Sequence, residues 1–254
     1  MVNWTYDKTK QGYLNLWNKT KIKEGKDFTN ATFYANKITA GEKQYTEVEK
    51  LTGVPWFFIG ALHMRESGCD FKGVLHNGEK IIGKNRKTVL VPAGRGPFSS
   101  WSVSAVDALK IKGLEKIKDW NISRMGYEAE RFNGLGYVGK KVNSAYLWAG
   151  SNQEQTGKYV RDHVWDKNFD DPQIGVMTVI KRLAEMRPDI NKRINPTPPV
   201  TTTQGGITSV IAGAGAAAAI TFWDYWPYIV PGAIVVTIST IVLIGWYNRK
   251  KNNV

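Results

Sequence analysis

The fold is decided by residues 55–68, which read Pro55-Trp56-Phe57-Phe58-Ile59-Gly60-Ala61-Leu62-His63-Met64-Arg65-Glu66-Ser67-Gly68. Proline suits the first position of a helix, because its fixed φ and its missing N–H cost nothing there. Glycine suits the position just past a helix end, where a left-handed backbone closes off the last carbonyl groups. The stretch therefore predicts one helix that begins at Pro55 and ends before Gly68.

Glu66 is the one acidic residue of this predicted helix. Ile59, Leu62 and Glu66 are spaced i, i+3 and i+7, so they share one face. A carboxyl group among apolar side chains has its charged form disfavoured, so its pKa rises toward the range that a general acid needs. The alternative is a surface glutamate that pairs with a nearby lysine or arginine. Helix geometry alone does not separate these two interpretations.

The chain carries a strong positive charge, which restricts its partners. It has 254 residues, a net charge of +13 and a pI near 9.7, enough for one sizeable soluble domain and a smaller segment. Such a balance favours an anionic wall polymer, an anionic membrane surface or nucleic acid. The sequence lacks zinc-finger spacing and the aromatic-rich RNP motif, so we expect no nucleic-acid partner.

The cysteine content and the first residues indicate the compartment in which the chain is made and folds. A single cysteine, Cys69, excludes an internal disulfide, so folding in a reducing compartment is expected to be unhindered. Residues 1–8 contain no apolar run of the kind that a secretory signal needs. We therefore expect synthesis and folding on the cytoplasmic side.

Residues 1–190 are predicted to form an α+β domain that is mainly helical. Regularly spaced aromatic residues predict helices around residues 13–17 and on both sides of Gly41. Residues 74–82 hold Asn77-Gly78 between two β-prone runs, a strong hairpin pattern, and residues 88–92 predict a third strand. Three later helices are predicted: one capped by Ser99 or Ser100 and ending at Gly113, one capped by Ser123 and ending at Gly134, and one over residues 175–186.

The C-terminal part predicts a membrane anchor. Residues 191–206 are rich in Pro, Thr and Gly and predict an extended linker. Residues 228–247 carry no charge, match the ~20 residues that cross a bilayer, and have aromatic residues at both ends and basic residues after them. Residues 207–254 are thus predicted to hold two helices, at about 207–223 and 227–247, with both ends cytoplasmic. A single crossing after an interfacial helix is the alternative.

An acid at Glu66 calls for a second polar group across a cleft. Glycoside hydrolysis typically uses two carboxyl groups, one as acid and one as nucleophile or base. The candidates are Glu79, beside the Asn-Gly turn, and Asp70, just past the helix, although a solvated or capping role in a turn is the alternative for both. His76 and Asn77 are candidates to position a water or a sugar hydroxyl.

An aromatic, glycine-rich passage near residues 131–159 is a candidate for sugar binding. Carbohydrate clefts stack sugars on aromatic rings and bind their hydroxyls with amides. The predicted binding residues are the amide of Asn133 and the rings of Tyr137, Tyr146 and Tyr159. Core packing is the alternative for about half of the aromatic residues in this passage.

Cys69 supplies a different hypothesis. It would be a thiol nucleophile with His76 or His163 as its base, as in cysteine peptidases that cut wall peptides. A lone cysteine behind a helix is more often a small buried apolar residue. The histidines lack metal-ligand spacing such as H-E-x-x-H, so we expect no metal and no cofactor.

Ordered motifs over residues 50–175 resemble a lysozyme-like family. Glu66-Ser67-Gly68, at the end of an apolar helix, is similar to the catalytic helix end of goose-type lysozymes and soluble lytic transglycosylases. With the membrane segment, the chain resembles endolysins of enterobacterial phages. Five further motifs carry this resemblance: Leu75-His76-Asn77-Gly78, Val91-Pro92-Ala93-Gly94-Arg95, Phe132-Asn133-Gly134-Leu135-Gly136-Tyr137, Ser144-Ala145-Tyr146-Leu147-Trp148 and Gly157-Lys158-Tyr159-Val160.

The resemblance implies a lysozyme-like fold in which Glu66 is the general acid and Tyr137 lines the cleft. It implies a muramidase that cleaves the β-1,4 bond between N-acetylmuramic acid and N-acetylglucosamine in peptidoglycan glycan strands during host lysis. We expect a monomer, anchored in the host inner membrane through residues 207–247 and acting on the periplasmic wall.

Two alternatives to this muramidase stay open. The chain lacks a hairpin aspartate at the spacing that phage-T4-type lysozymes use, so water or the muramic acid's own 6-hydroxyl could attack. Attack by the hydroxyl would give a lytic transglycosylase. A non-catalytic, membrane-tethered peptidoglycan-binding module is the rival from another class of protein.

Overall fold

The computed structural model describes residues 4–161 and 164–195. Within these ranges the chain is mainly helical with one two-stranded antiparallel sheet, which confirms the predicted α+β class at this level. A 3-10 turn, Leu114–Lys116, follows the helix over Trp101–Ile111. The elements are α1 Tyr6–Lys19, α2 Lys26–Ala40, α3 Glu42–Thr52, α4 Trp56–Ser67, α5 Trp101–Ile111, α6 Ile122–Asn133, α7 Gly136–Lys140, α8 Ala145–Trp148, β1 Lys158–Arg161, β2 Val164–Asp166, α9 Val176–Met186 and α10 Pro188–Ile194.

Helix α4 forms where the sequence predicts it. It begins one residue later than predicted, because Pro55 has an extended ψ of 134° and lies just before the first turn. Gly68 ends it in the left-handed conformation, with a φ of 63° and its N–H bonded to the carbonyl of Met64. All residues of 56–65 are buried, so the helix is enclosed on every side rather than along one apolar face.

The core is built around α4. This helix packs against α2, α3 and α9, while α1 packs on α6, α5 on α3, and both α8 and α10 on α9. Most buried apolar residues belong to one continuous cluster that encloses α4. The largest fully buried side chains of this cluster are Trp148, Tyr45, Phe57, Phe58, Ile38, Ile59, Leu62, Leu75, Leu109, Leu114 and Met125.

The hairpin predicted over residues 74–82 is wrong, and so is the third strand over 88–92. The chain does turn at Asn77-Gly78, with a φ of 76° at Gly78, but the flanking residues form turns and bends. Within the segment the N–H of Gly78 bonds to the carbonyl of Val74 at 2.9 Å, which closes a helical type of turn instead of a two-residue hairpin loop. The side chains of Glu79 and Asn77 bond to backbone groups of residues 89–91, which would otherwise be free to pair as the third strand.

The sheet of the described residues lies elsewhere, in a passage for which no strand was predicted. Strands β1 and β2 pair antiparallel, with Lys158 opposite Asp166 and Tyr159 opposite Trp165. Large aromatic side chains suit a short, half-buried ribbon of this kind. The small antiparallel sheet of the prediction therefore exists, but about 80 residues later in the chain than expected.

Two helix starts test the predicted caps. Ser100 accepts a hydrogen bond from the N–H of Val103 at 3.3 Å, as predicted for α5. Ser123 is not a cap, because α6 begins earlier, at the buried Ile122. Asn121 caps α6 instead, its side-chain oxygen accepting from the N–H of Arg124 at 2.9 Å.

The predicted linker and anchor fall largely outside the described residues. The chain divides into two units, Met1–Thr197 and Pro198–Val254, and the description concerns the first. Helix α10 runs to Ile194, which is buried, so the first residues of the predicted 191–206 linker belong to the folded unit. The described residues include no helix that is both long and apolar enough to span a bilayer, and the anchor predicted over 207–254 lies beyond them.

Candidate active site

Glu66 lies in the last turn of α4, partly buried, immediately before the glycine that ends the helix. Burial raises the pKa of its carboxyl to about 7, because the charged form loses hydration. The hydroxyl of Tyr146 and the positive charges of Arg65 and Lys112 act in the opposite direction. The outcome is a carboxyl group that can both give and take a proton near neutral pH.

Tyr146 is the direct partner of this carboxyl. It lies in α8, is buried, and its hydroxyl donates a hydrogen bond to Oε1 of Glu66 at 2.7 Å. Burial and the neighbouring Glu66 carboxyl raise the pKa of Tyr146 well above its usual value, so the hydroxyl remains a donor. This bond joins residues that are 80 positions apart in the chain. Among the predicted sugar-binding residues, Tyr146 is the one bonded to Glu66.

The ring of Tyr146 packs against Arg65, which belongs to a buried ion pair with Asp171. The guanidinium carbon of Arg65 lies 4.9 Å from the centre of the Tyr146 ring. Arg65 Nη2 and Lys158 Nζ contact the two carboxylate oxygens of Asp171 at 2.7 and 3.0 Å. Burial opposes ionisation of Asp171, but Arg65, the N–H of Gln173 and Lys158 together outweigh it and hold the pKa of Asp171 below its usual range. The network ties β1 to the end of α4.

Lys112 adds a positive charge near Glu66. Its ammonium group donates to the backbone carbonyl of Phe132 at 2.9 Å. Burial lowers the pKa of Lys112, and the Glu66 carboxyl partly offsets that effect. This hydrogen bond joins Lys112, which follows α5, to the end of α6 beside Glu66.

The predicted aromatic residues divide between two places. Tyr137 and Tyr159 form an edge-to-face cluster with Trp165, with ring centres 5.0 to 6.0 Å apart. Burial raises the pKa of Tyr137 to about 12. Asn133 is exposed at the end of α6. Tyr159 follows Lys158 along β1. The aromatic cluster therefore lies next to the ion-pair network whose Arg65 contacts Tyr146.

The turn after α4 packs directly on the residue that carries the acid. A Cβ atom at Gly78 would collide with the backbone carbonyl oxygen of Glu66, so this close approach requires glycine. Asn77 and Glu79 flank this contact. The turn is thus fixed against the end of α4, although it forms no strand.

The side chains of Glu79 and Asn77 are bonded to each other and to a later loop, and not to Glu66. Oxygens of Glu79 accept from the N–H groups of Val89 and Leu90 at 2.8 to 3.1 Å, and from the Asn77 amide at 3.1 Å. Burial acts against the charged form, but these donors lower the pKa of Glu79. Its carboxylate is committed to the loop over residues 88–95.

Asp70 is also held by local contacts. Its side chain accepts from the N–H of Lys72 at 3.0 Å and pairs with Lys80 at 2.9 Å. The hydrogen bond from Lys72 and the ion pair with Lys80 lower the pKa of Asp70. The residue thus acts as a turn acceptor, the alternative that the sequence left open for it.

His76 belongs to a separate cluster. Its Nε2 contacts Asp107 at 2.8 Å, and Arg95 holds the same carboxylate from the other side, with Nε at 2.9 Å. Its ring stacks on Phe98 with centres 5.4 Å apart. Burial lowers the pKa of His76, despite the opposing effect of Asp107. These contacts join the turn after α4 to α5.

Cys69 is buried, and burial raises the pKa of its thiol to about 11, which does not support a thiolate nucleophile. Of its proposed bases, His76 is bonded to Asp107, and His163 lies outside the described residues. Within residues 4–161 and 164–195, no group of three or more His, Cys, Asp or Glu side chains could hold a metal ion.

Three residues of this network were missed from the sequence: Arg65, Lys158 and Asp171. A charged residue inside an otherwise apolar helix has to find a buried partner, so Arg65 carried a usable signal. For Asp171 there was no such signal in the sequence, because it lies 106 residues from Arg65 in the chain.

No family model, no curated protein and no solved structure matches this chain.

Proposed function

We propose that this chain is a peptidoglycan-cleaving glycosidase in which Glu66 is the general acid. The observation that carries the proposal is the carboxyl of Glu66, with a pKa of about 7 and a hydrogen bond from a buried tyrosine hydroxyl. A raised carboxyl pKa in an apolar setting is the usual condition for protonating a glycosidic oxygen at neutral pH. A mainly helical body with the acid at the end of a buried helix also supports the lysozyme-like arrangement that the motifs imply.

The proposed bond is the β-1,4 link between N-acetylmuramic acid and N-acetylglucosamine. Protonated Glu66 gives its proton to the bridging oxygen as the bond to the anomeric carbon breaks, and positive charge develops on the sugar ring. The resulting carboxylate then takes a proton from the attacking nucleophile. Tyr146 stabilises that carboxylate through its hydroxyl, which keeps the pKa of Glu66 from rising further.

The nucleophile is either water or the 6-hydroxyl of the muramic acid residue. The first leaves a new reducing end, and the second leaves a 1,6-anhydro sugar. Asp70 and Glu79 are both engaged in turn and loop contacts, which supports a mechanism with a single acid/base carboxyl. Such a mechanism is compatible with both outcomes, so the transglycosylase product is retained as the second candidate.

The setting that we propose is host lysis by a phage endolysin. The net charge of +13 would draw the domain toward anionic wall and lipid surfaces, an attraction that weakens as salt rises. The apolar C-terminal residues 207–247 would hold it at the inner membrane, with the glycosidase acting on the periplasmic wall. Both points depend on sequence composition.

The test is a product analysis. The full-length chain in detergent is incubated with purified peptidoglycan, and the released fragments are identified by mass spectrometry. We expect disaccharide-peptide fragments with either a reducing or a 1,6-anhydro muramic acid end. Binding to the polymer without fragment release would replace the glycosidase with a non-catalytic wall-binding module. Release of free peptides would indicate a peptidase.

The pH dependence of cleavage should follow the titration of Glu66. Because the acid has to be protonated, kcat/KM should fall about tenfold per pH unit above a pKa of about 7. Tyr146→Phe removes a donor that stabilises the carboxylate, so the alkaline limb should move to higher pH. The measurement is a kcat/KM profile for the wild type and this variant.

A matched control for this profile is Tyr34→Phe, on a half-buried tyrosine of α2. It should leave the profile unchanged. An alkaline limb that stays in place in Tyr146→Phe would show that the hydrogen bond does not tune the acid.

Glu79 should contribute stability rather than chemistry. Glu79→Ala leaves two backbone N–H groups and the Asn77 amide without their acceptor, so the free energy of unfolding should fall by about 1–2 kcal/mol. Chemical denaturation measures this, with Glu24→Ala, at an exposed position before α2, as the control. An unchanged stability together with a hundredfold loss of kcat would make Glu79 the second catalytic carboxyl.

A further inference from the structure

A cavity of about 340 Å³ lies between α1, α6 and the residues around α7 and α8. Trp4 and Tyr13 line it from the N-terminal side, and Glu130, Ser144 and Trp148 line it from the other. Neither Glu66 nor Tyr146 is part of its wall. The cavity is therefore distinct from the candidate active site.

Two polar side chains in the wall of this cavity, those of Glu130 and Ser144, have an atom without a hydrogen-bond partner. Glu130 and Ser144 are only 4% and 2% exposed. Among the residues that the structure describes, neither Oε1 of Glu130 nor Oγ of Ser144 has a partner with normal hydrogen-bond geometry, although the two side chains adjoin each other. Buried polar atoms are normally satisfied, so two such atoms in the wall of one cavity point to a ligand that bonds to them.

The charge state of Glu130 restricts the kind of ligand. Burial raises the pKa of its carboxyl to about 8, and the nearby Ser144 hydroxyl opposes this shift to a lesser extent. The group is therefore mostly neutral at pH 7 and offers both an O–H donor and a carbonyl acceptor. The ammonium group of Lys8 on the wall disfavours a cationic ligand through like-charge repulsion.

The walls and the size of the cavity restrict the ligand further. The rings of Trp4 and Tyr13 supply apolar surface against which the face of a sugar can pack. A volume of about 340 Å³ is at the lower end of the range for ligand pockets, roughly 300–1,000 Å³, so a small ligand is expected.

We propose that this cavity is a second carbohydrate site, which binds a single neutral N-acetylated hexosamine. The carboxyl of Glu130 donates to the acetamido carbonyl, and the hydroxyl of Ser144 accepts from the acetamido N–H. The aromatic rings contact the sugar face and the acetyl methyl group. The choice of sugar rests on the proposed function, since such residues make up the glycan strands of peptidoglycan.

The test uses saturation-transfer NMR on the full-length chain in detergent micelles, with N-acetylglucosamine as the probe. Glucose and glucosamine are matched probes that lack the acetyl group. We expect saturation of the acetyl methyl protons with N-acetylglucosamine, and at least a tenfold weaker Kd for the two other sugars.

Variants of the cavity residues show where N-acetylglucosamine binds. Gly12 lines the cavity on α1, and a Cβ there would meet nothing within 4 Å, so Gly12→Leu should obstruct the cavity without disturbing the helix. Gly12→Leu and Glu130→Leu should each weaken the Kd for N-acetylglucosamine at least tenfold. Glu130→Gln keeps a donor and an acceptor and should retain binding, which provides a folded reference if Glu130→Leu does not fold.

Gly12→Leu separates this site from the candidate active site, because it alters the cavity and leaves Glu66 and Tyr146 unchanged. The proposal is overturned if the wild type shows no saturation transfer. It is also overturned if binding survives undiminished in both Gly12→Leu and Glu130→Leu, which would place the sugar outside this cavity. If the chain binds N-acetylglucosamine but releases no peptidoglycan fragments, the proposed function is wrong and the second carbohydrate site is retained.

Discussion

Glu66→Gln should lower kcat for peptidoglycan cleavage by about 10²–10⁴-fold, the range that a positioned general acid contributes. Glutamine has almost the same shape, and its amide oxygen can still accept the hydrogen bond from Tyr146 that the carboxyl accepts at 2.7 Å. What it lacks is the titratable proton. The loss should therefore appear in kcat, measured as fragments released per unit time, with little change in KM.

Stability supplies an internal check on this variant. The folded pKa of Glu66, about 7, is raised above its ordinary value of 4.5, so the wild type loses stability as pH rises between these values. Above pH 7, Glu66→Gln should therefore be at least as stable as the wild type. A loss of activity in this variant cannot then be assigned to unfolding.

Asp70→Asn is the matched control for Glu66→Gln. It alters another carboxylate near the end of α4, one bonded to Lys72 and Lys80, and it should keep most of the activity. Retention of most activity by Glu66→Gln would contradict the proposed mechanism. If Cys69→Ser then abolished activity, a thiol peptidase would be the better description.

Asp171→Ala should lower the free energy of unfolding by about 3–5 kcal/mol, the cost of removing one partner from a buried ion pair. The side chains of Arg65 and Asp171 are 4% and 0% exposed. Without the carboxylate, the guanidinium of Arg65 stays buried against Tyr146 with no counter-charge, and Lys158 loses the same partner. Chemical denaturation of the two proteins at neutral pH gives the difference.

The adjacent Asp170 is exposed, so Asp170→Ala should change stability by less than about 0.5 kcal/mol. The double variant Arg65→Met, Asp171→Leu should recover much of the loss, since an apolar pair of similar volume avoids the desolvation of both charges. A deficit below about 1 kcal/mol for Asp171→Ala would show that the network is accessible to water.

The effect of Asp171 should also depend on pH. Its folded pKa lies below the ordinary 3.8, so its stabilising contribution is present above that value and is lost as pH falls through the folded pKa. The difference between the wild type and Asp171→Ala should therefore shrink in acid. A difference that stayed constant with pH would argue against an ionised Asp171 in the folded protein.

Local features of the fold could be predicted from the sequence. The helix over 56–67 and its glycine end follow from patterns within a few residues, and so do the Ser100 cap and the break at Gly41 between α2 and α3. The prediction over residues 74–82 was wrong because a hairpin pattern describes backbone propensity only. In the folded chain the N–H of Gly78 bonds to the carbonyl of Val74, a helical type of turn, and the side chains of Glu79 and Asn77 bond to a later loop.

The sequence by itself determined that Glu66 ends an apolar helix, since helix periodicity and end residues are properties of a short segment. The tertiary structure decided what surrounds that carboxyl. Tyr146 and the ion pair behind it, between Arg65 and Asp171, meet across 80 and 106 residues of chain. Such partners are brought together by packing around α4, and desolvation by the same packing raises the pKa of Glu66 to about 7.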